Sequence, residues 1–341
     1  MRKRLWILLW LLALVSLVGL GGRWHWLLDL TNHFRLQYVG IAFVLLLLAV
    51  LLRDRRCIVL GIVVGWLCLG LWGWPLRAAW VSAAPLQAAE LRVVTVNLLI
   101  GNRDLTRLGD WLRAVQPDVL VVEELDTRAA EILDLVDLEL RRVWVQPEDE
   151  GAFGIGVWSR VPTGVPEPRA LGPYQLASAR VPLLVGEGAP LQLFATHPFP
   201  PIGAEGSAAR DAQFAELAVW INAHPGAALL VGDLNATPWS MPLQALAVAA
   251  RLSDGSHRRW PVATWRPLRL GLLAHLLALP IDHVLLRGGQ IRTLERGPNV
   301  GSDHWPLLAR VALAQVGGTL PAARIAATTT DSNAPGPAAR H

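Results

Sequence analysis

Cysteine is nearly absent from this 341-residue chain: Cys57 and Cys68 are the only two, eleven positions apart in one apolar run. That excludes a disulfide framework and a thiolate metal site, and both read as small residues of an apolar helix. Lysine is missing from residues 91–314, where twenty Arg face twenty-three Asp/Glu for a net charge of −3. A nucleic-acid surface draws most of its affinity from neutralised phosphates, so this balance disfavours nucleic acid as a partner, while leaving room for a local basic stripe. No small-x-small cleavage site follows the first apolar run, because Gly21-Gly22 leads into Arg23-Trp24-His25-Trp26. A cleaved signal peptide is therefore not expected, despite the basic start Arg2-Lys3-Arg4. No internal repeat is visible.

What the chain has in abundance is apolar sequence, 53% of residues, spread unevenly. Residues 5–20, 38–52 and 57–76 form three apolar runs. Each is read as a transmembrane helix. Residues 1–90 carry nine Lys/Arg against three Asp/Glu, a net +6, so the basic character belongs to this end. Arg2, Lys3 and Arg4 precede the first run, and Arg53, Arg55 and Arg56 lie between the second and third. Both clusters belong on the cytoplasmic side. The segment between the first two runs, with Trp24 and Trp26, suits the outer interface. Three crossings then place everything after residue 76 outside the cytoplasm, and one crossing fewer would reverse that. The expected organisation is a membrane anchor over 1–76, a linker over 77–90, a catalytic domain over 91–314 and a disordered tail over 315–341, which is rich in Ala, Thr, Gly, Pro and Ser.

Within 91–314, apolar strands are expected at 91–97, 119–124, 153–158, 191–196, 229–232, 281–286 and 307–313. Residues 104–115 read as a helix with Leu105, Leu108, Trp111, Leu112 and Val115 at helical spacing, stopped by Pro117. A second helix is expected at 208–223. Strands and helices alternate only in part, which favours a mixed sheet arrangement.

These strands end in polar residues able to bind metal or phosphate: Asn97, Glu124, His197, Asp233 with Asn235, Asp282 with His283, and Ser302-Asp303-His304. Any one of them has a plain explanation as a turn residue. Six in one domain point to a shared site, because strand ends at one sheet edge converge in space. In Leu229-Leu230-Val231-Gly232-Asp233-Leu234-Asn235, the glycine ends the strand, and a carboxylate and an amide leave it two positions apart, on the same side of an extended chain.

The set Thr95-Val96-Asn97, Val122-Glu123-Glu124, Thr196-His197, Gly232-Asp233-Leu234-Asn235, Ile281-Asp282-His283 and Gly301-Ser302-Asp303-His304 resembles the endonuclease/exonuclease/phosphatase (DNase I-like) superfamily. The resemblance covers 91–314. It implies a four-layered α/β sandwich of two packed mixed sheets flanked by helices, here preceded by three transmembrane helices. It also implies hydrolysis of phosphate esters or anhydrides by in-line water attack, with Mg²⁺ or Mn²⁺ as cofactor. By this resemblance Glu124 is the principal metal ligand, with Asn97 and Asp303 completing the metal surroundings. Asp233 orients or deprotonates water and Asn235 holds a phosphate oxygen. His197 and His304 stabilise the developing charge, one of them protonating the leaving oxygen, and Asp282 fixes the tautomer of His304. Where the family has Gln before the metal-binding Glu, this chain has Glu123, which leaves open which of Glu123 and Glu124 is the main ligand.

The whole chain is similar to membrane-anchored bacterial members, among them the teicoplanin-resistance-associated phosphatases that are thought to act on a polyprenyl pyrophosphate. The expected substrate is a lipid-linked or small phosphorylated molecule outside the cytoplasm, and the alternative is a membrane-tethered nuclease acting on DNA. Residues 268–279 are an apolar run too short to cross a bilayer. As a helix they would be a buried segment of the domain or an apolar flap resting in the outer leaflet.

Overall fold

The computed structural model describes residues 1–73, 90–136, 139–186, 188–253 and 261–313. The expected linker, apart from Glu90, and the expected tail lie outside the described residues.

Four helices open the chain: α1 (Arg2–Val18), α2 (Trp26–Asn32), α3 (Arg35–Leu51) and α4 (Arg55–Trp72). Leu9 of α1, Ala42, Leu45 and Ala49 of α3, and Val64 and Cys68 of α4 pack into one buried cluster. The opposite faces stay apolar, with Trp10, Leu14, Phe43, Leu51, Val63 and Trp66 exposed. A helix that is apolar all round suits a lipid environment. The first apolar segment, Arg2–Gly21, and α4 are each long and apolar enough to cross a membrane; α2 with α3, bent by 61°, makes up a third span if counted as one. Two or three of the described helical segments are therefore long and apolar enough to cross a membrane. The segment between the first two runs is not a bare loop, because it contains α2. His25 caps that helix by accepting Leu27 N–H through Nδ1 at 3.2 Å.

The second part is an α/β sandwich of two mixed sheets. The first sheet has the order β10-β11-β1-β2-β4-β3. Its strands are β1 (Glu90–Asn97), β2 (Val119–Glu123), β3 (Arg141–Gln146), β4 (Ile155–Ser159), β10 (Gly289–Arg296) and β11 (Leu307–Leu313). The second sheet has the order β5-β6-β7-β8-β9. Its strands are β5 (Glu167–Leu171), β6 (Leu176–Leu183), β7 (Leu191–Thr196), β8 (Ala228–Asp233) and β9 (Asp282–Arg287). Each sheet has one parallel pair, β1 with β2 and β7 with β8, and is otherwise antiparallel. Each parallel pair needs a crossover. The crossovers are α5 (Thr106–Val115) and α7 (Gly203–Asn222).

The unbroken apolar runs of the central strands follow from burial on both faces. Val93, Val121, Leu193, Leu229, Val231 and Val311 point between the sheets. Val94, Val96, Leu120 and Val122 point outward to α5 and α6 (Thr127–Leu135). Phe194, Leu230 and Leu285 point outward to α7 and α8 (Met241–Ala250). Each such side chain contributes about 1.5–3 kcal/mol relative to exposure. The four layers are thus helix, sheet, sheet, helix. β3, β5, β6, β10, α6 and α8 go beyond the elements read from sequence, and α7 begins five residues earlier than expected. The edge strands β3 and β5 are only half-buried, so their apolar signal is weak.

The apolar run at 268–279 is neither a continuous α-helix nor a buried segment. Residues Leu268–Leu277 form 3-10 turns broken at Gly271, whose φ is +54°. Leu273 and Leu276 are 61% and 69% exposed, while Ala274 and Ala278 pack inward.

Candidate active site

The topology brings all eight sequence-predicted site residues to one edge of the sandwich. Parallel pairing puts the C-terminal ends of β1 and β2 side by side, with Asn97 opposite Glu123. The ends of β7 and β8 are likewise adjacent, delivering His197 and Asp233. β9 runs antiparallel to β8, so its first residue, Asp282, pairs with Asp233. β11 runs antiparallel to β1 and starts at this same edge, just after Ser302-Asp303-His304.

Gly232 is required where β8 ends. Its φ is +145°, and a Cβ there would collide with the Thr196 carbonyl of the neighbouring strand. The glycine therefore lets β7 and β8 close up, which sets Asp233 beside His197. Asp233 is buried at the centre of the cluster. Its Oδ2 accepts from Asn97 Nδ2 at 3.1 Å and lies 3.5 Å from His197 Nε2 and 3.6 Å from His304 Nε2. Its Oδ1 accepts from the Asn235 backbone N–H at 2.9 Å. Asn235 takes a left-handed conformation (φ +49°), and its Nδ2 donates to the Pro198 carbonyl at 3.0 Å and meets His197 Nε2 at 3.3 Å. His304 Nδ1 pairs with Asp282 Oδ2 at 2.9 Å. His283 turns away, with Nε2 on the Ala236 carbonyl at 2.7 Å.

Charge in this buried cluster is set by neighbours. Burial alone would lower the His304 pKa, but Asp282 and Asp233 outweigh it and push it up to about 10. Burial alone would raise Asp233, but the facing imidazoles of His304 and His197 hold it down at about 2. The resting site therefore pairs an ionised Asp233 with a cationic His304.

The two neighbouring glutamates separate sharply. Glu123 follows strand alternation and points inward, where its Oε1 accepts from Thr95 Oγ1 at 2.7 Å. Full burial pushes its pKa well above its ordinary value, and Asp282 and Asp233 push the same way. Glu124 has φ +52° and leaves the alternation, which brings it to the cavity wall. Glu124 Oε1 accepts from Asn97 Nδ2 at 2.9 Å and Oε2 from Ile100 N–H at 2.6 Å. Asn97 thus presents its NH₂ to Glu124 and Asp233, while its Oδ1 accepts from Leu99 N–H at 3.0 Å. Direct oxygen ligation by Asn97 would require that amide to turn over.

A cavity of about 370 Å³ opens over the cluster. Glu124, His197, Asp233, Asn235, Asp303 and His304 form its polar floor, and Leu30, Phe34, Phe153, Pro200, Ile202 and Leu279 contribute apolar walls. Asp282 and Asn97 lie behind the floor. The described residues that line it include no Arg or Lys. Arg210 is 1% exposed and reaches Asp29, Asp211 and the Asn235 carbonyl. Arg160 follows β4 at the opposite edge, since Ser159 pairs with Val119 at the start of β2.

Sequence reasoning missed several contributors. Trp265 Nε1 donates to Asp303 Oδ2 at 2.9 Å and so orients that carboxylate. Ser302, named in the sequence among the polar strand ends, ties the loop before β11 to β1: its hydroxyl donates to the Asn97 carbonyl at 2.8 Å and accepts His304 N–H at 2.9 Å. The Phe153 ring lies 5.4 Å from the His197 ring. The wall from the anchor, Leu30, His33 and Phe34, was also missed. Only the solitary Asp29 between two apolar runs was a sequence signal for it.

Two donor sets suit a metal ion. Asp233, Asp282 and His304 place ligand atoms within 4.8 Å of one another, but Asp282 and His304 already share a hydrogen bond. Glu124 and Asp303 offer carboxylate oxygens at the cavity surface, each with lone pairs to spare, a donor chemistry that fits a hard divalent cation.

No curated protein sequence matches the chain significantly. Among solved structures, an endonuclease/exonuclease/phosphatase from Beutenbergia cavernae DSM 12333 is 22% identical, with a TM-score of 0.53 over 67% of this chain and 73% of that one. TDP2 of D. rerio, solved with a single-strand DNA product, is 17% identical, with a TM-score of 0.54 over 65% of this chain and 99% of that one. The 3′ phosphatase NExo from Neisseria, solved with a product DNA hairpin, is 17% identical, with a TM-score of 0.51 over 64% and 98%. These likenesses show a common fold. Residues 94–304 match the Endonuclease/Exonuclease/phosphatase family, so the chain belongs to that family, whose members are hydrolases acting on phosphoester bonds.

Proposed function

We propose that this protein is a membrane-anchored, divalent-metal-dependent phosphoesterase that hydrolyses a lipid phosphate or pyrophosphate outside the cytoplasm. The observation that carries this reading is the make-up of the cavity: a polar, charged floor under apolar walls, two of which come from the anchor. A headgroup fits the floor and hydrocarbon fits the walls. The absence of Arg and Lys among its described lining residues disfavours a nucleic-acid backbone, which is held chiefly by such cations.

Support for the orientation comes from the two ends of the helical bundle. Arg2 Nη2 donates to the Leu52 carbonyl at 3.1 Å, so both basic clusters sit together at one end. The catalytic domain meets the other end through Asp29, His33 and Gln37. Clustered cations belong on the cytoplasmic side, which leaves the active site outside.

In the reaction, ionised Asp233 orients the attacking water and takes its proton as the water oxygen bonds to phosphorus. The ester or anhydride P–O bond breaks on the far side. Asn235 steadies a phosphoryl oxygen. Cationic His304, held by Asp282, neutralises developing charge and gives the leaving oxygen its proton, while His197 adds a further contact from the floor. Glu124 and Asp303 would hold Mg²⁺ or Mn²⁺, which when bound supplies charge neutralisation at the phosphoryl oxygens.

The test assays full-length protein in detergent micelles, with Mg²⁺ or with EDTA, on undecaprenyl pyrophosphate, a phosphodiester lipid and plasmid DNA. Turnover of a lipid substrate that EDTA abolishes, and that Asp233→Asn lowers by about 10²–10⁴-fold, is the expected result. Cleavage of DNA alone would instead support the tethered nuclease.

A further inference from the structure

The catalytic cavity is not built by the catalytic domain alone. Asp29 of α2 is 2% exposed, yet its carboxylate is fully used. Oδ1 accepts from Met241 N–H at 2.7 Å, and Oδ2 accepts from Ser240 Oγ at 2.8 Å and Arg210 Nη2 at 3.4 Å. Asp29 thereby caps the start of α8 from 212 residues away in sequence. Next to it, His33 Nδ1 accepts Thr237 N–H at 3.3 Å, and Arg210 Nη1 reaches on to the Asn235 carbonyl at 3.3 Å. The segment that follows Asp233 and Asn235 is therefore fastened to the anchor at several points, every one of them buried or half-buried.

This clamp fixes which side chains of the anchor meet the cavity. Leu30 at the end of α2, and His33 and Phe34 in the turn that leads into α3, all line it. Arg35, the next residue, begins α3, so the wall runs directly into an apolar helix. The exposed leucines of Leu268–Leu277 adjoin α3, because Gln37 Nε2 donates to the carbonyls of Leu276 at 3.3 Å and Ala278 at 3.2 Å. A chain held in the membrane can reach the polar floor between these two apolar surfaces.

We propose that the hairpin between the first two apolar helices is a specificity subsite, in which Leu30 and Phe34 take the hydrocarbon of an amphiphilic substrate beyond its first five carbons. This rests on the lipid-phosphate reading above. It adds that chain recognition belongs to the anchor. The subsite is pre-organised by Asp29, so hydrocarbon is bound without ordering a mobile loop first, which is where affinity is otherwise lost.

The experiment uses the full chain in mixed micelles with two probes that share a headgroup, a long-chain prenyl pyrophosphate and the five-carbon prenyl pyrophosphate. The measured quantity is the ratio of their kcat/KM values for wild type, Leu30→Ala, Phe34→Ala and Phe34→Leu. Each alanine variant should lower the long-to-short ratio about tenfold, chiefly through KM on the long chain, the scale expected when apolar contact of that size is removed. Phe34→Leu, which keeps most of the contact, should restore the ratio to within about threefold of wild type. Wild type preferring the long chain while all variants keep that preference would overturn the subsite alone. Wild type without a preference would remove the lipid reading and the subsite with it. Loss of turnover on both probes alike would also overturn the subsite, since it would place Leu30 and Phe34 in the support of the reacting groups.

Discussion

Glu123 stands where the family resemblance assigns Gln, and its surroundings explain how a carboxyl group serves there. Its Oε1 accepts the Thr95 hydroxyl, and burial with two acids nearby pushes its pKa up, which favours the neutral carboxyl under the floor. The sign of its pH effect follows from linkage. A carboxyl whose folded pKa is raised contributes stability that is full below its unfolded value, near 4.5, and that falls as pH climbs toward the folded value. Glu123→Gln keeps the Thr95 bond and removes that dependence. Its thermal midpoint should match wild type at pH 5 and exceed it by about 2 °C or more at pH 8, read by melts without divalent ions. A midpoint below wild type across that range would mean that the ionised carboxylate is used. At this scale the residue types of the site were legible in sequence, but the choice between Glu123 and Glu124 was not. That choice depends on one backbone angle after β2, which no side-chain pattern records.

Elements decide how close those residues come. The expected strands placed Asn97, His197, Asp233 and Asp282 at strand ends, yet only the sheet order makes these ends neighbours. Gly232 is the element-scale control, because it lets β7 and β8 approach and sets the turn that Asp233 begins. Gly232→Ala combines a left-handed φ with a collision against backbone, a loss of about 2–4 kcal/mol. Its denaturant midpoint should drop accordingly. Turnover should fall about tenfold or more, because small misplacements of reacting groups are costly. A variant with wild-type stability and rate would show that the strands can separate freely. The run at 268–279 illustrates the opposite case. Composition named it apolar, but Gly271 and the inward packing of Ala274 and Ala278 turn its leucines outward, where a continuous helix would have hidden some of them.

The molecule as a whole is held together by contacts between its two ends. Asp29, Arg210, Ser240 and Met241 join α2 to α7 and α8 through buried polar groups. Such groups are costly when left unpaired. Asp29→Ala would strand the Ser240 hydroxyl and the Met241 N–H, and would leave Arg210 with Asp211 as its remaining carboxylate partner. A destabilisation of about 2–4 kcal/mol is expected, seen as a lower melting midpoint of full-length protein in detergent. An unchanged midpoint would mean that the anchor and the domain are energetically independent. The sequence by itself determined the apolar helices, the central strands and the polar strand ends, because periodicity, hydropathy and residue chemistry are local properties, while the sandwich was implied by the family resemblance. Only the tertiary structure decided that Glu123 lies beneath the floor while Glu124 faces the cavity, and that the N-terminal helices wall the active site. Those outcomes rest on strand register, on single left-handed residues and on hydrogen bonds between positions some two hundred residues apart, none of which a local pattern encodes.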